Sequence, residues 1–172
     1  MFKTVLAYEL KYWAKNPAIY FYGFIIFSFA LLSLAGNAGF FSETQSGEKS
    51  VANSTFALFS LMLLTNKLLL FIIPAIIGNS LYRDFKTNSH CLLYSYPITK
   101  QSYLSAKFIS SLIPLLLIVL LFFVGCYAGT QLPGVNKSLL LPFDFSSYFQ
   151  LFLLYFLPNV LLFGIIVFFI VS

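Results

Sequence analysis

Four hydrophobic runs dominate the sequence, and each approaches the roughly 20 residues that a helix needs to cross a bilayer. They cover about residues 18–36, 56–80, 104–128 and 148–171. None alternates apolar with polar residues as the strands of a membrane barrel do, so the backbone must be satisfied within helices. Charged residues make up only 9% of the chain, against roughly 25% in soluble domains. The sequence therefore predicts an all-α membrane protein with four transmembrane helices.

Basic residues predict the orientation of these helices. The chain has ten Lys and Arg residues, of which Lys67 lies deep inside a hydrophobic run, and Lys49 and Lys137 lie in two loops. The other seven lie in the N-terminal segment or in residues 80–107: Lys3, Lys11, Lys15, Arg83, Lys86, Lys100 and Lys107. Because basic residues concentrate on the cytoplasmic side of a membrane, we expect the N-terminus and residues 80–107 in the cytoplasm.

Residues 1–17 are predicted to form an amphipathic helix that lies along the cytoplasmic headgroups before Pro17 turns the chain into the first span. Drawn as a helix, this segment places apolar side chains on one arc and Lys side chains on the other. The apolar arc contains Phe2, Val5, Leu6, Leu10 and Trp13. Trp13 is of the type that anchors helices in the aromatic belt of a membrane interface.

Glu9 falls inside that apolar arc, a position that an ideal membrane-surface helix would keep apolar. The simpler interpretation is that the carboxylate pairs with a nearby Lys of the same helix or turns toward water. The alternative is that the arc packs on protein rather than on lipid, and that Glu9 bonds to a partner helix.

Three polar residues inside the spans are candidates for a translocation path: Asn66, Lys67 and Asn159. Lys67 lies about 16 Å from either end of its span, and an ammonium at the bilayer centre costs about 2.5–3.5 kcal/mol. We therefore expect Lys67 to face a protein interior or a watery path. The alternatives are that the span begins after Lys67, or that a local membrane defect lets Lys67 reach water. Interhelical hydrogen bonds would account for the two Asn residues.

Residues 78–108 resemble the cytoplasmic segment between the second and third spans of ABC-2 type transporter permeases. The resemblance rests on Arg83-Asp84, Leu92-Leu93, Pro97-Ile98-Thr99-Lys100, Tyr103-Leu104 and Lys107. The chain is most similar to the permease portion of large proteins that join such a permease to an M1-family aminopeptidase domain. That similarity extends to Glu9-Leu10-Lys11-Tyr12 and Leu157-Pro158-Asn159.

The resemblance implies a bacterial inner-membrane permease whose short coupling helix, between the second and third spans, docks on a separate ABC ATPase subunit. The candidate docking residues are Arg83, Asp84, Leu92, Leu93, Tyr96, Pro97 and Lys100. Apolar side chains beside basic ones also suit a protein contact, although the same residues could dip into lipid headgroups as a surface loop. The family further implies export and a second permease copy or homologous half. ATP and Mg²⁺ would be bound by the partner ATPase.

Motifs for catalysis are missing from the chain, so we expect it not to be an enzyme. It contains no G-x-x-x-x-G-K-[ST] phosphate loop and no H-E-x-x-H, and its single His, His90, cannot build a two-His zinc site. We expect no metal or cofactor in this chain and no nucleic-acid partner.

Permeases of this family have six spans, so residues 18–172 would represent a partial transmembrane domain. We therefore expect a fragment of a longer protein. The alternative function is a non-transporting membrane scaffold or the inactive remnant of a truncated permease.

Overall fold

The computed structural model of the chain describes residues 2–40, 51–86 and 100–171, and for residues 84, 85 and 100 the backbone only. In these ranges the chain is built from helices, without a strand. They are α1 (Phe2–Lys15), α2 (Pro17–Asn37), α3 (Thr55–Lys86), α4 (Lys100–Thr130), α5 (Phe145–Leu151) and α6 (Leu157–Val171), with a π-helical segment (Phe152–Phe156) joining the last two and a 3₁₀ turn at Lys137–Leu139.

Four of the described helical stretches are long and apolar enough to cross a membrane. They are Pro17–Asn37, Thr55–Arg83, Gln101–Thr130 and Phe145–Val171. The prediction of four spans from the sequence is confirmed in this sense. Each stretch extends one to three residues beyond the predicted run at both ends, except that the fourth ends at the predicted residue.

The helices α2 and α4 run parallel, and glycine brings them into close contact. A Cβ built on Gly125 would lie 2.7 Å from the carbonyl oxygen of Phe27, and one built on Gly129 would lie 2.9 Å from that of Leu31. The two glycines are four residues apart in α4, as are their partners in α2, which sets the same direction for both helices. Small residues at this spacing allow backbones in a membrane to approach closely.

Helices α3 and α6 complete the bundle around an apolar core. Ile73, Ile76 and Phe122 are buried there, and Phe156 packs edge-on against Phe122 at 5.4 Å between ring centroids. Near its end, α6 reaches the beginning of α4, where Phe168 and Phe108 are 5.1 Å apart. The spans therefore alternate in direction, and the starts of α2 and α4 share one end of the bundle with the ends of α3 and α6.

At the other end, backbone hydrogen bonds hold the connections between spans together. The amide of Asn136 donates to the carbonyl of Ala38 at 3.0 Å, and the amide of Ala52 donates to that of Leu139 at 2.9 Å. The Asn53 side chain accepts from the amide of Leu141 and donates to its carbonyl, both at 2.7 Å. We call this the loop end of the bundle.

The fourth span begins at the loop end with a capped α-helix, which is followed by a wider, π-helical turn. The Asp144 carboxylate accepts hydrogen bonds from the Ser147 hydroxyl and from the amides of Ser146 and Ser147, and these bonds hold the pKa of Asp144 below its usual value. The π-helical segment ends two residues before Pro158. Because proline has no amide hydrogen to donate to the preceding turn, a wider turn at this place suits the chain.

Candidate functional site

The helix α1 packs its apolar arc on protein, at the end of the bundle opposite the loop end. Most of its contacts are with α4, and its buried residues are Glu9, at 3% exposure, and Trp13. Asn16 then caps α2 by accepting a hydrogen bond from the amide of Ala18, with Pro17 at the first helical position. The chain thus folds back sharply, so that α1 lies against helices that follow it in sequence. We call this the Glu9 end of the bundle.

Glu9 bonds directly to Arg83, near the end of α3. The Arg83 guanidinium donates from Nη2 to the Glu9 Oε1 atom, and its central carbon lies 3.8 Å from the centroid of the Tyr12 ring. A guanidinium suits this place because it can pair with a carboxylate and stack on an aromatic face at once. The ion pair therefore connects α1 to α3 across 74 positions of sequence.

Lys107, near the start of α4, supplies a second positive charge. Its side chain is 1% exposed, and its Nζ atom lies 3.7 Å from the Glu9 Oε1 atom and donates a 2.6 Å hydrogen bond to the Ser80 carbonyl oxygen. The ammonium also lies 5.3 Å from the centroid of the Tyr103 ring. Lys107 therefore connects α4 to both α1 and α3. The Glu9 carboxylate of α1 contacts a basic side chain from each of the other two helices.

This buried cluster, which we call the Glu9 cluster, comprises Glu9, Arg83 and Lys107. Taking charges out of water costs several kcal/mol per ion, and only direct pairing offsets that cost. Glu9 is the one acidic member of the cluster. Within the cluster, its carboxylate alone compensates the positive charges of Arg83 and Lys107. The Glu9 Oε2 atom, the Trp13 indole nitrogen and the Ser80 hydroxyl are also buried, without a hydrogen-bond partner among the described residues.

The structure decides between the two interpretations of Glu9, and it corrects the expectation for Trp13. Local pairing or exposure to water is wrong for Glu9, because its carboxylate is buried against α3 and α4. Trp13, expected in the aromatic belt, is a core residue at 3% exposure. Residues Phe2–Lys15 are helical, and Glu9 and Trp13, which lie on the arc drawn for the membrane surface, are buried against protein.

The predicted docking residues flank or fall within the stretch between α3 and α4. Leu92, Leu93, Tyr96 and Pro97 lie outside the described residues, as do the side chains of Asp84 and Lys100. Arg83 is described and belongs to the Glu9 cluster. The predicted coupling helix is likewise outside the described ranges, but both ends of the stretch that would contain it are anchored, through Arg83 and Lys107.

The candidates for a translocation path are placed differently from one another. Lys67 is exposed on the outer face of α3, directed away from the bundle of this chain, and Asn66 and Asn159 are half-buried. Within the described residues none of these three side chains has a hydrogen bond or ion pair. The helix α3 begins at Thr55, twelve residues before Lys67, so this lysine lies well inside the helix. Lys67 lines no interior within the described part of the chain.

No protein-family model, no curated protein and no solved structure matches this chain. The resemblance to ABC-2 permeases therefore rests on the motifs in the sequence alone.

Reasoning from the sequence missed Lys107 as a member of the buried cluster. It was assigned to the cytoplasmic charges that set topology, together with residues that stay in water. A signal was available, because Lys107 lies inside the hydrophobic run of about residues 104–128, and a lysine that is buried in such a run needs a partner for its charge. Glu9, the only acidic residue of the N-terminal segment, was the matching candidate.

Proposed function

We propose that this chain is the membrane-spanning permease subunit of an ABC transporter, or the front part of one. A separate ATPase would dock on residues 81–103 and supply the energy, and a second permease copy or homologous half would complete the path for export. The Glu9 cluster is the observation that carries this proposal. It fastens α1 to the two helices that flank the docking segment.

The Glu9 cluster suits a permease because it connects the two flanks of the docking segment to each other and to α1. Arg83 lies three residues before the end of α3, and Lys107 lies seven residues after the start of α4. A push on the segment between them would move both helices, and Glu9 would carry α1 along with them. Movement would then reach α2 as well, because only Asn16 separates α1 from α2.

Changing the docking segment tests this function. Leu92→Asp and Leu93→Asp with Pro97→Ala replace the apolar anchors and the turn, and buried anchors of an interface each contribute about 2 kcal/mol or more. We expect the tagged wild-type chain, purified from its native membrane, to carry a protein with a G-x-x-x-x-G-K-[ST] phosphate loop. We expect the variant to bind that protein at least about tenfold more weakly.

Leu141→Asp provides the matched control, since it places the same charge on an exposed leucine at the loop end. It should leave capture of the ATPase unchanged. Equal capture by the triple variant would refute docking on residues 81–103. A wild-type chain that carries no protein with a phosphate loop would refute the permease function and favour a scaffold.

A further inference from the structure

Two neighbouring cavities open at the loop end of the bundle, one partly polar and the other apolar. The first, of about 330 Å³, is lined in part by the polar residues Thr130, Gln131 and Lys137. The second, of about 440 Å³, is lined entirely by apolar and aromatic side chains of α4, the 131–144 connection and the fourth span. Tyr127, Phe143 and Tyr148 line both. Each volume is in the range of sites for small molecules, about 300–1,000 Å³.

We propose that these cavities bind one anionic phospholipid of the surrounding bilayer, with its headgroup at Lys137 and an acyl chain in the apolar groove. The groove opens outward from the bundle, because Leu120, Val124 and Phe149, which line it, are each 45–53% exposed. A lipid can therefore enter sideways from the membrane. A soluble anion would leave the groove unfilled, whereas a hydrocarbon chain covers it.

The charges around the polar cavity favour an anionic headgroup. Lys137 lines this cavity and has no ion pair among the described residues. Asp144, the nearest acidic residue along the described chain, does not line it, and its carboxylate is engaged in the cap of α5. An exposed lysine facing a phosphate contributes modestly, so the acyl chain supplies most of the affinity and the lysine supplies the preference for negative charge.

Tyr148 marks the junction between headgroup and chain. It is 6% exposed, it lines both cavities, and its hydroxyl is buried without a hydrogen-bond partner among the described residues. Phe143 packs against its ring at 5.0 Å between centroids. A hydroxyl at this place can donate to an ester or phosphate oxygen of the lipid, which would satisfy a group that is otherwise costly to bury.

Native mass spectrometry of the full chain in detergent tests the proposal, with dioleoyl phosphatidylglycerol and dioleoyl phosphatidylcholine as probes. The wild-type chain should retain one phosphatidylglycerol in preference to phosphatidylcholine. Val124→Trp should fill the groove and reduce retention of both lipids about tenfold, because an indole occupies much of the space that the chain needs. Leu117→Trp, at 57% exposure on the same helix but outside the groove, should retain the lipid as the wild type does.

Two further variants separate the headgroup from the chain. Lys137→Gln should reduce phosphatidylglycerol retention about two- to fivefold and leave phosphatidylcholine unchanged, whereas Lys67→Gln, which removes an exposed lysine elsewhere, should change neither. Tyr148→Phe should reduce lipid retention and raise the melting temperature of the lipid-free chain. A purely structural role for the hydroxyl would lower that temperature instead.

Several results would overturn the proposal. Equal retention by the Val124→Trp and Leu117→Trp variants would mean that the lipid is an ordinary boundary lipid. Displacement of the lipid by glycerol phosphate alone would mean that the headgroup site acts without the groove. A dimer that excludes lipid, and that Val124→Trp dissociates, would identify the groove as an interface between copies. None of these results depends on whether an ATPase docks at the Glu9 end, so this proposal and the permease function fail separately.

Discussion

Replacing Glu9 with Gln is expected to lower the free energy of unfolding by about 3–5 kcal/mol, the usual cost of removing one partner from a buried ion pair. Gln keeps the size of the side chain but removes the negative charge that faces Arg83 and Lys107. Both cations are largely buried, at 15% and 1% side-chain exposure, so water cannot replace the lost carboxylate cheaply.

The measurement is unfolding in mixed micelles, followed by far-UV circular dichroism and by tryptophan fluorescence. Trp13 is the only tryptophan of the chain and lies four residues after Glu9 on the same face of α1, so its emission reports directly on the docking of α1. We expect it to shift to longer wavelength in the Glu9→Gln variant at lower denaturant than in the wild type. Asp144→Asn makes the same chemical change at an exposed carboxylate that caps another helix, where Asn is also a good cap, so it should leave the Trp13 signal unchanged and cost much less stability than Glu9→Gln.

Gly125→Ala is expected to destabilise the bundle by about 1–3 kcal/mol, the range for overpacking a close contact. The added methyl would lie 2.7 Å from the carbonyl oxygen of Phe27 and 3.0 Å from the Cβ atom of Ala30. A backbone carbonyl in a helix cannot rotate away as a side chain can, so α2 and α4 must separate. This loss exceeds the gain in helix propensity, which is at most about 1 kcal/mol for alanine over glycine.

Gly78→Ala is the matched control, because it makes the same substitution inside α3 where an added Cβ meets nothing within 4 Å. Gly78→Ala gains the same helix propensity without a steric clash, so it should be neutral or slightly stabilising. The comparison uses the thermal midpoint of the purified chain in one detergent. A Gly125→Ala variant that melts with or above the Gly78→Ala variant would contradict the close parallel packing of α2 against α4.

The sequence could predict the four spans, and it could predict that the two basic segments lie at the same end of the bundle, because both features depend on local properties. Hydrophobic length defines a span without knowledge of its neighbours, and alternating spans bring α1 and the flanks of residues 87–99 to the same end. The sequence also places Glu9 and Trp13 on one arc of α1. It does not indicate what that arc faces, because an apolar arc serves equally against lipid and against protein.

The partners of Glu9 could not be read from local pattern. Three lysines on α1 were nearer in sequence than Arg83, and exposed pairs of this kind are common on helices. Only the fold brings α3 and α4 to the same side of α1 and buries all three charges together. The parallel contact through Gly125 and Gly129 was missed for a related reason, since the close approach shows only when Phe27 and Leu31 of α2 are in place.

Glu9 and Arg83 form a buried pair that connects α1 to α3, and a double-mutant cycle measures this interaction. Glu9→Gln, Arg83→Gln and the double variant are unfolded in the same micelles, with Trp13 emission as the reporter. We expect the double variant to lose less stability than the two single losses combined, with a coupling energy of about 1–3 kcal/mol. Losses that simply add would show that Glu9 and Arg83 do not interact and that this pair does not hold α1 on α3.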